Sequence, residues 1–177
     1  MALMARIAAL DTASISRERL RLVGQKMIER GAYLCPTLEA LLFVEEMAFE
    51  QVRKQLQTDE VPEPVKEFVS MQIRAMQSVS RLCVRELAAQ GVRMLVGQDG
   101  FEAEGTFGEM GLLADCGLSE VAIIRGATIY PAQWLGVDGR LGSVAPGKEA
   151  SLLVVAENPL EDIARLAHPT RLARIPR

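Results

Sequence analysis

Apolar residues recur along this chain with helical and strand-like periods in turn, and their succession predicts the elements. Over residues 16–30, "SRERLRLVGQKMIER", Leu20, Val23, Met27 and Ile28 share one helical face opposite a charged one. Gly31 follows at a C-cap position, where a residue without a Cβ adopts positive φ at little cost. "AYLCPTL" then reads as a short strand stopped at Pro36, which has no N–H for a ladder. A second helix is expected over 38–57, broken by the two prolines of "TDEVPEP". A third spans 64–90, where Val65, Phe68, Val69, Ile73, Met76, Val79, Cys83 and Leu87 recur at three- and four-residue steps. Its Met and Phe positions are expected to face the core.

After Gly91, "VRMLV" reads as a strand buried on both faces. A fourth helix is expected over 106–115, then a turn at Gly117, and Ser119 is expected to cap a fifth helix running through Trp134. The texture changes next: a turn-rich stretch from 139 to 147, a strand over 150–156, and Asn158-Pro159-Leu160-Glu161 as a capping-box helix start. Helices alternating with apolar strands define a parallel α/β arrangement. Two or three strands are too few for a closed eight-stranded barrel, which takes about 250 residues.

Composition narrows the classes. The 177 residues are 49% apolar and 24% charged, enough for one ordinary domain with its own core and unlike a disordered chain. A net charge of −3 argues against a general nucleic-acid binder, and the basic C-terminal stretch, Arg165, Arg171, Arg174 and Arg177, reads as a solvated end. Cys35, Cys83 and Cys116 show no Cys-x-x-Cys spacing and read as small buried apolar residues. "MALMARIAAL" does not read as a signal peptide, and no apolar run approaches the roughly eighteen residues of a membrane span. The expectation is a soluble cytoplasmic protein with no nucleic-acid or membrane partner. The phosphate-cradling patterns Gly-x-Gly-x-x-Gly and Gly-x-x-x-x-Gly-Lys-Ser/Thr do not occur, and "APGKEAS" lacks the strand–loop–helix context.

The candidate chemistry lies in "RMLVGQDGFEAEG", residues 93–105, where an apolar strand runs into Asp99. From the residues alone Asp99 reads equally as a turn acid between glycines and as an active-site carboxylate. Glu102, Glu104 and Glu109 could add oxygen ligands for a hard metal, but loop carboxylates are ordinarily only solvated. The single histidine, His168, lies in a Pro-flanked tail.

The ordered series "IERGAYLCPTL", "GVRMLVGQDG" and "GEMGLLADCGLSEVAIIRGATIYPAQWLGVDGRLGSVAPGKEASLLVVAENPLEDI" resembles the C-terminal part of the metal-dependent amidohydrolase superfamily, in its imidazolonepropionase-like and prolidase-like branch. The resemblance covers about residues 16–166. It departs at Gln98, Tyr130 and Ser151, where Thr, Asn and Asp are usual. It implies a partial TIM-type (β/α) barrel, its last two or so strands with their helices over 1–135. A β-sandwich-derived strand, short helix and tail would follow over 136–177. It also implies metal-assisted hydrolysis of C–N bonds in small amides, cyclic amides or dipeptides. Zinc or a similar divalent ion would be the cofactor, and Asp99 both metal ligand and proton-transferring catalytic residue.

The family's remaining ligands, a His-x-His pair, a carboxylated Lys and two single histidines, have no counterpart here, and His168 matches no ligand position. One carboxylate cannot hold a catalytic zinc, which takes about three protein ligands. The expectation is therefore a fragment inactive alone, one half of a split enzyme, or a non-catalytic interaction module. A truncated reading frame, a cut piece and a split protein remain open as origins. Barrel strands with open edges and faces predict self-association, a partner chain, or N-terminal helices folded over the gap. Sedimentation with an apolar dye checks this: a clean, compact monomer that binds no dye would contradict it.

Overall fold

The computed structural model describes residues 12–100, 104–167 and 172–174. Its helices are α1 (Arg17–Glu29), α2 (Ala40–Leu56), α3 (Glu63–Ala89), α4 (Glu104–Asp115), α5 (Glu120–Ala127) and α6 (Ile129–Trp134). The strands are β1 (Tyr33–Leu34), β2 (Arg93–Met94), β3 (Leu153–Val155) and β4 (Leu172–Arg174). Two 3-10 turns, Thr12–Ser14 and Ile163–Ala167, complete the set.

Local chemistry accounts for most boundaries. Ser16 caps α1 by accepting the Arg19 N–H at 3.2 Å, and Ser119 caps α5 by accepting the Ala122 N–H at 3.3 Å. Gly31 and Gly117 adopt the positive φ their turns require, 63° and 89°. The helix expected through Trp134 is two helices, parted at Thr128 (φ −132°, ψ −84°). The cause is Pro131, which lacks the N–H for the Ala127 carbonyl and would clash with it in a continuous helix.

β1 and β2 pair in parallel, Tyr33 opposite Arg93 and Leu34 opposite Met94, with α2 and α3 between them in sequence. The expected parallel α/β arrangement is present, but the strands are shorter than expected. The Leu95 N–H still reaches Leu34 O at 2.7 Å, whereas the Val96 N–H turns to Gly126 O at 3.0 Å, at the end of α5. The segment leaves its strand partner for a helix carbonyl.

Successive strand residues face opposite sides. Met94 is buried with Leu38, Val84, Leu87, Val92, Met110, Leu113, Cys116, Ile123 and Ile163, and Leu34 packs against that cluster. The other face carries Tyr33 and exposed Arg93, whose guanidinium lies 4.7 Å from the Tyr33 ring and 5.9 Å from the Tyr130 ring. The expectation that β2 is buried on both faces is thus corrected: one face is buried in the apolar cluster, while on the other Arg93 stays exposed, with Tyr130 and Gln133 of α6 near the pair. Arg93 donates to the Tyr33 hydroxyl at 2.8 Å, which in turn donates to Gln133 Oε1 at 3.2 Å. Tyr130, a departure from the family pattern, joins this stack.

Three further expectations change. On α1 it is Gly24 that is buried, while Val23 and Ile28 are each 47% exposed, because a Cβ at 24 would collide with the Gln90 side chain and α1 packs through that gap. On α3, Ile73, Val84 and Leu87 are buried, but Phe68 and Met71 are exposed. The Asn158 signal starts a turn and not a helix. Its Oδ1 accepts the Leu160 N–H at 3.1 Å, and the 3-10 turn begins after Asp162, which accepts the Ala164 N–H at 2.9 Å. Arg165 of the basic tail pairs with Glu161 and Glu157. β3 pairs antiparallel with β4, Val154 opposite Ala173. Among the described residues no helix is long and apolar enough to cross a membrane.

Gly126 is where α5 meets β2: a Cβ there would lie 2.6 Å from the Met94 carbonyl oxygen. Gly126→Ala is therefore expected to lower stability by about 1–3 kcal/mol, as overpacking does, read as a lower urea midpoint at unchanged slope.

Candidate functional site

Because β1 and β2 are parallel, the segments leaving their C-terminal ends emerge side by side. Cys35 to Glu39 follow β1, and Leu95 to Asp99 follow β2. They approach closely at Gly97, where a Cβ would sit 2.7 Å from Cys35 Sγ, so a larger residue would require the Cys35 side chain to shift. Asp99 lies two residues further on, exposed in a bend. Its carboxylate acts on the Cys35 thiol, which desolvation chiefly, then Glu109 and then Asp99, push above the ordinary cysteine value. Cys35 is exposed, contrary to expectation, while Cys83 is half-buried and Cys116 buried. Burial leads in raising the Cys83 and Cys116 thiols as well. None of the three is activated as a nucleophile.

The third wall is α4. Gly105 and Gly108, three residues apart on one face, leave a trough for Glu39: added Cβ atoms would lie 2.7 Å from Glu39 Oε2 and 3.1 Å from Glu39 Cγ. Gln98 Oε1 lies over Gly105 in the same trough. This is where the substitution of Gln for the usual Thr places its side chain.

Glu109 is the group the sequence reading misjudged. It was expected among solvated loop carboxylates; instead it lies inside α4 with no exposed surface. Its Oε2 accepts the Glu39 N–H at 2.8 Å, and the carboxylate also accepts from the Leu38 N–H. Those N–H groups stand at the head of α2, whose N-cap residue Glu39 makes no side-chain cap of its own. Glu109 thus caps a helix in another part of the chain, where the positive end of the helix dipole favours a carboxylate. Its Oε1 has no partner among the described residues. Burial raises its pKa above the ordinary glutamate value and the Glu39 carboxylate adds to the rise, while the two N–H bonds oppose it. The signal was in the spacing: Glu109 shares its helical face with Leu113 and Cys116, both fully buried.

Among the described residues, no group of three or more His, Cys, Asp or Glu side chains could hold a metal ion. Glu104 begins α4; Glu102 and His168 lie outside the described residues. Asp99 thus has one carboxylate to offer, which does not meet the donor set of a catalytic zinc.

The sequence profile of the amidohydrolase family matches residues 14–174, and the chain belongs to that family. Solved structures agree. It resembles a Xaa-Pro dipeptidase with methionine bound in the active site at 28% identity and a TM-score of 0.61, over 81% of this chain and 33% of the other. A prolidase complexed with N-methylphosphonate-L-proline matches at 27% identity and 0.63, over 89% and 35%. A further amidohydrolase matches at 28% and 0.60, over 86% and 33%. The chain spans about a third of the length of these proteins.

A raised folded-state pKa means that the folded chain binds the Glu109 proton more tightly than the unfolded chain. The associated stability is full below the ordinary glutamate pKa, about 4.3, and is lost as pH rises through the folded value. Glu109→Gln removes this slope, so its stability relative to wild type is expected to rise with pH in urea titrations from acid to neutral. A pH-independent difference would refute the assignment. Glu109→Ala, which strands both N–H groups, is expected to cost about 1–3 kcal/mol.

Proposed function

We propose that this chain is the C-terminal portion of a metal-dependent hydrolase acting on C–N bonds of small amides, cyclic amides or dipeptides. In this reading 1–135 is the end of a TIM-type barrel and 136–177 derives from the accompanying β-sandwich. The carrying observation is Asp99 just beyond the C-terminal end of a parallel strand, where active sites of such barrels are built, in a chain of this family. The dipeptidase and prolidase likenesses favour dipeptides within that substrate class.

Asp99 is assigned as the metal-edge carboxylate that holds the proton of the attacking water. The remaining ligands come from outside this chain, which has one histidine in all. These 177 residues are read as inactive by themselves, the missing ligands being supplied from outside them. The second reading, a non-catalytic interaction module, is favoured by the lack of a metal-holding group among the described residues.

Elemental analysis for zinc, manganese and iron in wild type and Asp99→Ala tests the assignment. The isolated chain is expected to carry metal at background. About one equivalent that vanishes in Asp99→Ala would show that copies of the chain complete the site. An equivalent retained by Asp99→Ala removes Asp99 from the metal centre. Co-production with a polypeptide bearing the missing histidines should then yield Asp99-dependent metal and dipeptide hydrolysis; neither appearing supports the non-catalytic module.

A further inference from the structure

A cleft of about 640 Å³ lies between the 3-10 turn Thr12–Ser14, the start of α1 and the second half of α3. It is lined by Arg17, Arg81 and Arg85, with Thr12 and Ser78 as hydroxyls and Ile15 and Leu82 among its apolar walls. The volume falls within the range of small-molecule sites. It shares no residue with the strand-end cluster around Asp99.

Arg81 and Arg85 stand four residues apart on α3, a spacing at which like charges repel. Their neighbours do not fully offset this. Arg81 is 3.6 Å from the Asp115 carboxylate, Arg85 donates at 3.5 Å to the Asp115 main-chain carbonyl, and Arg17 is 3.7 Å from Glu86. Close charge-assisted hydrogen bonds run at about 2.7–2.9 Å, and elsewhere in this chain Arg53 meets Glu46 at 2.6 Å. Among the described residues, three guanidiniums are therefore held around one cleft by contacts of 3.5–3.7 Å only. The positive potential reaches the buried Cys116 thiol, which Arg81 and Arg85 draw toward ionisation against the larger effect of burial. Ser78 spends its proton on the Arg74 carbonyl at 2.8 Å, so its oxygen faces a ligand as an acceptor.

We propose that this cleft is an oxyanion-binding site, in which Arg81 and Arg85, with Arg17 at the rim, take the phosphate group of a small ligand. Planar guanidiniums match phosphate oxygens two at a time, which a lone ammonium does not. The apolar walls and the Ser78 acceptor suit a small body carrying that group, such as a polyol phosphate. Asp115 competes with the ligand for both arginines.

The test is titration of the 177-residue chain at low ionic strength with inorganic phosphate and, separately, glycerol 3-phosphate. Binding is read by calorimetry and by the rise in melting temperature that a folded-state ligand produces. Saturable binding is expected for both probes, tighter for glycerol 3-phosphate if the walls contribute. Arg81→Gln and Arg85→Gln should each weaken it about tenfold, the loss of one charge-assisted contact. Asp115→Asn should tighten it, an effect that a purely structural role for these arginines would not give. Circular dichroism confirms that each variant folds. Absence of saturable binding by about 20 mM, beyond the weak end of specific affinity, overturns the proposal. So does binding that survives both arginine substitutions, or an effect matched by equal ionic strength of chloride.

Discussion

One carboxylate ties three separate segments of this chain together. Glu109 sits inside α4, yet its partners are the main-chain N–H groups of Leu38 and Glu39, where the segment leaving β1 turns into α2. Two orphan donors at a buried helix head would each cost free energy comparable to a lost hydrogen bond. The Glu109 carboxylate from α4 is the acceptor the fold supplies. Gly105 and Gly108 belong to the same solution, since they let α4 come close enough for Glu39 to lie against it. The wall beside Asp99 is therefore a product of helix capping as much as of strand pairing.

The sequence was most legible where a local rule operates without competition. Ser16 and Ser119 cap the helices they precede, and Gly31 and Gly117 end theirs. The parallel pairing of β1 with β2 and the position of Asp99 beyond β2 were readable for the same reason. Legibility failed where tertiary contacts overruled a local signal. Asn158 has the chemistry of a helix cap, but Glu161 is engaged by Arg165 and the helical turn is displaced to Ile163. Periodicity placed Val23 on the buried face of α1, although the close contact there belongs to Gly24, a residue with no hydrophobic signal at all. Glu109 was obscured by its type: a carboxylate reads as solvated unless its helical face is compared with Leu113 and Cys116.

The two faces of the parallel pair differ in kind. One is a close-packed apolar cluster that also takes in Ile163 from the far end of the chain. The other is a stack of Arg93 with Tyr33 and Tyr130, polar at its rim and linked to Gln133. A guanidinium on an aromatic face satisfies its charge without needing a carboxylate, and it keeps that face from being a bare apolar surface.

Thr37, in the segment that Glu109 holds, has φ of 49°. A β-branched residue in the left-handed region costs of order 1–3 kcal/mol and persists only where its surroundings leave it no alternative. The two N–H bonds to Glu109 are among the contacts that hold it there. They also lower the proton affinity of that carboxylate. The strain at Thr37 and the titration of Glu109 are thus thermodynamically linked: while Glu109 stays buried, relaxing the turn must raise its pKa further, and protonating it must ease the turn. The backbone beside Cys35 and Asp99 carries a built-in reading of its own proton balance.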